Sequence, residues 1–117
     1  MKLTKVIKKE LVWETAIFCF GVLSISLFHS QSILLTILLI IYWMIGIKFW
    51  HKKHDFYFFV TGAIIGSIGE VVCIHFGAWQ YTNPNLLGIP IWLPFAWGIF
   101  IMLIKRIAET FVRIEMK

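Results

Sequence analysis

The stretch Phe56–Gly77, with the sequence FYFFVTGAIIGSIGEVVCIHFG, contains one charged side chain, the carboxyl group of Glu70. A transmembrane helix needs about 20 consecutive, mostly apolar residues. The stretch therefore predicts a membrane span. An ionisable side chain inside a span is costly, and it marks a functional site by default. Glu70 is thus the first candidate functional residue.

The rest of the chain follows the same pattern. Of its 117 residues, 60% are hydrophobic and 15% are charged, whereas soluble domains have about 45–50% apolar and about 25% charged residues. This composition excludes a disordered chain, a nucleic-acid-binding arm and an ordinary soluble enzyme. It predicts an all-α, polytopic membrane protein made of one four-helix domain over residues 1–117, with spans at about 11–28, 32–50, 56–77 and 88–106. Glu10 and Glu14 precede the first apolar centre and no clean cleavage site follows it, so we expect a retained span.

The basic residues indicate the orientation of the spans. All 11 Lys and Arg residues lie within 2–9, 48–53 and 105–117, and the other two connections contain none. By the positive-inside rule, both termini and the middle loop are cytoplasmic. The pattern favours a bacterial cytoplasmic (inner) membrane and argues against a nucleic-acid partner. After Lys105, apolar residues spaced along one helix face predict a short amphipathic extension at the inner surface: Ile107, Ala108, Phe111 and Ile114.

Small residues line one side of the third span. Such a line is typical of close helix packing, and it consists of Gly62, Gly66, Gly69, Cys73 and Gly77. We call these five residues the small-residue spine. Glu70 lies beside it, so we expect the carboxyl group to face the interior of the bundle.

An aromatic segment without charges follows Glu70: Gly77–Gly98, GAWQYTNPNLLGIPIWLPFAWG. Pro90 suits the first turn of the fourth helix, and Pro94 predicts a kink that opens space between helices. An aromatic cap above a buried carboxyl group predicts a pocket open to the outer leaflet. The candidate residues for binding its ligand are His75, Trp79, Tyr81, Asn83, Trp92 and Trp97.

The pattern G-E-x6-G-A-W-x-Y, then G-I-P, then W-L-P-x-x-W-G resembles a motif of small carotenoid-biosynthesis membrane proteins, the lycopene-cyclase-domain and carotenoid-hydratase-like families. The likeness covers residues 66–98, about a third of the chain. It implies chemistry on an isoprenoid, in which a carboxylic acid protonates a double bond and aromatic faces stabilise the cation. On this resemblance Glu70 is the catalytic acid, and four candidate aromatic residues form the wall: Trp79, Tyr81, Trp92 and Trp97.

Three functions therefore stay open. The first is binding or conversion of a lipophilic molecule around Glu70. The second is a structural or accessory membrane subunit that packs through the small-residue spine. The third is a small proton-coupled transporter, because length, four spans and Glu14 in the first span are similar to the small multidrug-resistance family. Glu14 is expected to pair with Lys8 or Lys9 or to stay solvated.

These readings share the same expected partners. They are membrane lipids, a lipophilic ligand, and a homo-oligomer or larger membrane complex. No cofactor and no metal site is predicted, since no closely spaced ligand motif links Glu70 with His75 or His29. Whether the chain is an enzyme is left open by the sequence.

Overall fold

The computed structural model describes residues 5–50, 54–81 and 84–115. Within them the chain forms four helices and no named strand: α1 (Lys5–Phe28), α2 (Ser32–Trp50), α3 (Asp55–His75) and α4 (Leu93–Glu115). The predicted all-α class is confirmed.

Side-chain contacts give the relative directions of the helices. Tyr42 of α2 donates a hydrogen bond of 2.6 Å to the carbonyl oxygen of Ile17 in α1. Helix α1 also contacts α4, because Thr110 near the end of α4 donates a hydrogen bond to Glu14 in the first half of α1. Arg106, also near the end of α4, binds Asp55 at the start of α3. Helix α4 therefore runs antiparallel to both α1 and α3.

Glycines bring α3 and α4 into close contact. A Cβ atom at Gly62 or Gly66 would lie under 3.0 Å from Ile101 or Trp97 of α4. On the opposing helix, a Cβ atom at Gly98 would lie equally close to Phe59. Only glycine permits this approach, and small residues of this kind are typical of tightly packed helices.

The chain buries several charged side chains beside its apolar core and exposes many large apolar ones. Buried side chains include Glu14, Asp55 and Arg106, whereas large apolar side chains such as Ile33 and Ile65 are 71% and 64% exposed. Helices α1 and α3 are long and apolar enough to cross a membrane, and only 11% of each apolar window is buried within the chain. Helix α2 contains a shorter apolar stretch, Ser32–Lys48.

The fourth helix begins later than predicted, at Leu93 rather than 88. The preceding residues form a tight turn in which Leu87 and Gly88 both have positive φ angles, 52° and 87°. Pro94 is therefore the second residue of α4. A proline in the first turn removes no intrahelical hydrogen bond, so the predicted kink at Pro94 has no basis in the structure.

The end of α4 agrees with the prediction in its continuity and differs from it in its packing. The helix continues without a break to Glu115. Its buried face there is Arg106, Thr110 and Ile114, while Phe111 is 57% exposed. Of the predicted apolar stripe, Ile114 is thus buried and Ile107 half-buried, and the last turns contact α1 through Thr110 and Arg113.

Candidate binding groove around Glu70

Three hydrogen-bond donors from different parts of the chain converge on the carboxyl group of Glu70. The indole Nε1 of Trp79 lies 2.7 Å from Oε2, and the hydroxyl of Tyr81 lies 3.0 Å from the same oxygen. The indole Nε1 of Trp97, on α4, lies 3.3 Å from Oε1. The structure thus brings together four residues that the sequence predicted as one site.

Gly77 explains how Trp79 and Tyr81 return to Glu70. The N–H of Gly77 donates to the carbonyl of Ile74, and that of Ala78 donates to the carbonyl of Cys73. Together with a φ of 80° at Gly77, these bonds form a Schellman motif, which ends a helix and reverses the chain. Gly77 therefore ends α3 and directs the next residues back along it; it makes no packing contact of the predicted kind.

Gly66 explains the position of Trp97. The atoms closest to a Cβ built at Gly66 belong to the indole ring of Trp97. The missing side chain leaves the space that the ring occupies. From there Nε1 reaches Glu70, one helical turn further along α3, since residues i and i+4 lie on the same face.

Every observed partner donates to Glu70. Tryptophan Nε1 can only donate, and an ionised carboxylate can only accept. Burial, the hydrogen bond to Glu70 and the charge of Glu70 together raise the pKa of Tyr81 to about 12. The phenol thus keeps its proton, and its role as a donor, at any physiological pH.

A groove of about 390 Å³ runs along α3 next to this carboxyl group. Its size falls in the range of about 300–1,000 Å³ typical of small-molecule sites. Its described lining is apolar apart from Glu70, Thr61 and the polar edges of two indoles, and includes no Lys, Arg or His. The lining residues are Thr61, Gly62, Ile65, Gly66, Gly69, Glu70, Cys73, Trp79, Trp97 and Ile101.

The small-residue spine is divided between two roles. Gly62 and Gly66 contact α4, whereas a Cβ atom at Gly69 would meet no atom within 4 Å. Gly69 and Cys73 line the open part of the groove. The predicted packing role thus describes the first half of the spine, and the second half forms the groove and the helix end at Gly77.

Of the other predicted binding residues, Trp92 and His75 do not line the groove. Trp92 is buried in an apolar cluster, and its ring meets that of Tyr81 edge-on at 6.3 Å. It therefore supports the phenol that binds Glu70. His75 is exposed and contacts the ring of Phe76. Asn83 lies outside the described residues.

Sequence reasoning missed a second polar cluster, at the opposite end of α3. Asp55 is fully buried and binds Arg106 at 2.6 Å and Lys105 at 3.1 Å. Thr110 donates to Glu14 at 2.7 Å. The prediction that Glu14 pairs with Lys8 or Lys9 or stays solvated is wrong, since its side chain is buried against α4.

One more pair extends this cluster along α1. Arg113 forms an ion pair with Glu10 and also donates to Thr110 at 3.3 Å. The cluster consists of Glu10, Glu14, Asp55, Lys105, Arg106, Thr110 and Arg113. The signal that could have revealed it is the presence of acids in α1 and α3 at the same end as the basic residues of α4.

Comparison with known proteins gives no relatives: no family model, no curated protein and no solved structure matches this chain. Across the part of the chain that the structure describes, no three His, Cys, Asp or Glu side chains are grouped so as to hold a metal ion. The site is therefore interpreted from its own geometry.

Proposed function

We propose that this chain is an integral membrane protein with four spans and cytoplasmic termini, and that it binds a lipophilic small molecule in the groove beside Glu70. The observation that carries the proposal is the groove itself. The groove has an apolar lining that includes three glycines of α3, and it contains one carboxyl group, which accepts hydrogen bonds from Trp79, Tyr81 and Trp97.

The membrane assignment is supported by the exposed surface. Lipid is the solvent that suits large apolar side chains on the outside and hydrogen-bonded charges on the inside. The described basic residues also share one end of the bundle, at the start of α1 and the ends of α2 and α4: Lys5, Lys8, Lys9, Lys48, Lys105, Arg106 and Arg113. By the positive-inside rule that end is cytoplasmic.

The position of Glu70 along α3 fits a site in the outer part of the membrane. Glu70 follows Asp55 by fifteen residues, a rise of roughly 22 Å at 1.5 Å per residue. A hydrocarbon core is about 30 Å thick. With Asp55 at the inner surface, a ligand enters the groove sideways from the outer leaflet.

The contacts of the small-residue spine favour ligand binding over docking of a partner helix. Gly62 and Gly66 are already covered by Ile101 and Trp97 of the same chain. Gly69 has open space around it and, with Cys73, lines the groove beside Glu70. The isoprenoid identity of the ligand, and any conversion of it, derive from the sequence resemblance alone.

Blocking the groove without disturbing the bundle tests the proposal. Gly69→Leu places a side chain into the groove where no atom lies within 4 Å. Gly46→Leu is the matched control, because Gly46 also has open space around it but lies on α2, away from the groove. Each variant is purified in nanodiscs and its co-purifying lipophiles are identified by native mass spectrometry and extraction.

We expect a lipophile at fixed stoichiometry in the wild type and in Gly46→Leu, and its loss in Gly69→Leu. Thermal melts that coincide for the two variants show that the loss is not caused by misfolding. Equal lipophile content in all three proteins would contradict binding in this groove. A co-purifying membrane protein with no lipophile would favour the accessory-subunit function instead.

A further inference from the structure

We infer that the ligand of this groove is a lipophilic cation, an apolar chain that ends in an ammonium-type head bound at Glu70. The inference rests on the proposed function, since it assumes that the groove binds a lipophile. It adds the chemical class of the head group, which neither the composition nor the resemblance gives.

The hydrogen-bonding capacity of the groove points away from anionic head groups. The donors of Trp79, Tyr81 and Trp97 are all directed at Glu70. Thr61, the other polar side chain of the lining, precedes Glu70 by nine residues, roughly 13 Å along the helix. Among the described lining residues, a carboxylate or phosphate head near Glu70 would meet no free side-chain donor and no cation, and a buried anion without either is strongly disfavoured.

The carboxyl group of Glu70 has no counter-ion within the part of the chain that the structure describes. Its three hydrogen-bond partners are neutral side chains, and none of the described ion pairs involves it. Two of the bonds fall on Oε2 and one on Oε1, whereas a carboxylate offers about four acceptor positions. The remaining acceptor position lies on Oε1. A cationic head with an N–H group would fill this position and neutralise the carboxylate.

The indoles of Trp79 and Trp97 supply a second attraction for a cation. Both rings line the groove next to Glu70. A cation near an aromatic face gains about 0.5–2 kcal/mol, and aromatic sites of this kind bind quaternary ammonium groups. A fatty alcohol would gain the hydrogen bond to Glu70 without the charge or the cation–π term.

The length of the groove suits a single tail. The lining extends from Thr61 to Cys73 along α3, roughly 18 Å of helix. Glu70 lies near the end of this range that is covered by Trp79. The head is thus placed under the aromatic segment and the tail lies over the glycine floor.

Head-group selectivity tests the inference directly. Radiolabelled hexadecylammonium, whose N–H groups can donate to Glu70, is bound to the full chain in neutral-lipid nanodiscs, with empty nanodiscs subtracted, and is competed with hexadecanol and hexadecanoate. The three probes share one tail and differ in the charge of the head. The same series is measured with Glu70→Gln, which keeps the shape and an acceptor oxygen but removes the charge.

We expect the cation to bind about tenfold more tightly than the alcohol, and the carboxylate to bind most weakly. In Glu70→Gln the preference for the cation should shrink several-fold, because only the attraction of the indoles remains. If Glu70→Gln fails to fold, the order of affinities in the wild type decides alone. Equal affinities for cation and alcohol in the wild type, with loss of both in Gly69→Leu, would overturn the cation inference and leave the proposed function intact. Absence of saturable binding by any of the three would overturn both.

Discussion

Asp55 and Arg106 lie 51 residues apart in the sequence and form a buried ion pair with an oxygen–nitrogen distance of 2.6 Å. The Asp55 side chain is fully buried, and Arg106 is 2% exposed. Removing one partner of a buried pair leaves an uncompensated charge, which is strongly destabilising. The pair therefore holds the start of α3 against the end of α4.

We predict that Asp55→Asn lowers the free energy of unfolding by about 3–5 kcal/mol. The control is Glu109→Gln, which removes the exposed partner of Lys105 at 3.4 Å and should cost at most about 1 kcal/mol. Both are measured by denaturant unfolding in the same detergent. Equal costs for the two variants would show that burial of the Asp55 pair has no energetic consequence.

A second prediction separates the two halves of the small-residue spine. Gly66→Ala forces a Cβ atom into the ring of Trp97 and should destabilise the bundle by about 1–3 kcal/mol, the usual cost of overpacking. Gly69→Ala meets open space and should be neutral or stabilising by up to about 1 kcal/mol, since alanine has the higher helix propensity. Thermal melts of the two purified variants measure both effects. If Gly69→Ala were destabilising and Gly66→Ala were not, the packing role of Gly66 and the open position of Gly69 would be contradicted.

The phenol of Tyr81 gives a prediction about pH. Its pKa is raised from 10.0 to about 12, first by burial and then by the hydrogen bond and the charge of Glu70. Between pH 10 and 12 the unfolded chain has lost the Tyr81 proton and the folded chain has kept it, so the contribution of this group to stability falls as the pH rises through that range. Below pH 10 that contribution is fully present.

NMR titration of ring-labelled tyrosine, with Tyr81→Phe used to assign the signal, measures this pKa directly. In Glu70→Gln we expect the pKa of Tyr81 to be lower than in the wild type, because the charge of Glu70 is gone. A midpoint that does not change in Glu70→Gln would show that the phenol and the carboxyl group are not in contact.

The proposed orientation predicts which surface positions react from outside the cell. In a chain with Cys19 and Cys73 replaced by serine, Ser30→Cys lies at the exposed turn after α1, and Glu109→Cys lies on the exposed side of α4. A membrane-impermeant maleimide should label Ser30→Cys in intact cells and Glu109→Cys only after permeabilisation. The reverse result would invert the topology.

Much of this architecture is predictable from the sequence because apolar runs and turns determine the ends of helices locally. The bounds of α2 agree with its apolar run, and Glu70 with Trp79, Tyr81 and Trp97 was predicted as one site. The start of α4 at Leu93 was not predicted, because a tight turn with positive φ at Leu87 and Gly88 has no strong local signal at the leucine.

The features that the sequence did not predict depend on contacts between residues that are far apart in the chain. Nothing near Asp55 in the sequence predicts burial, because its partner lies 51 residues away. Gly62, Gly66 and Gly77 look alike in the pattern of small residues. Their roles differ in the folded chain, because Gly62 and Gly66 contact α4 whereas the chain reverses direction at Gly77.

Photo-crosslinking tests the central claim, that the groove beside Glu70 holds a lipophile. A long-chain alcohol with a diazirine in its tail is irradiated with the wild type and with Gly69→Leu in nanodiscs, and the modified residues are mapped by mass spectrometry. The neutral head keeps the result independent of charge. We predict labels concentrated on the groove residues Ile65, Gly69, Cys73 and Ile101, and their disappearance in Gly69→Leu. Labels spread evenly over the exposed faces of α1 and α2, and unchanged in Gly69→Leu, would contradict the account.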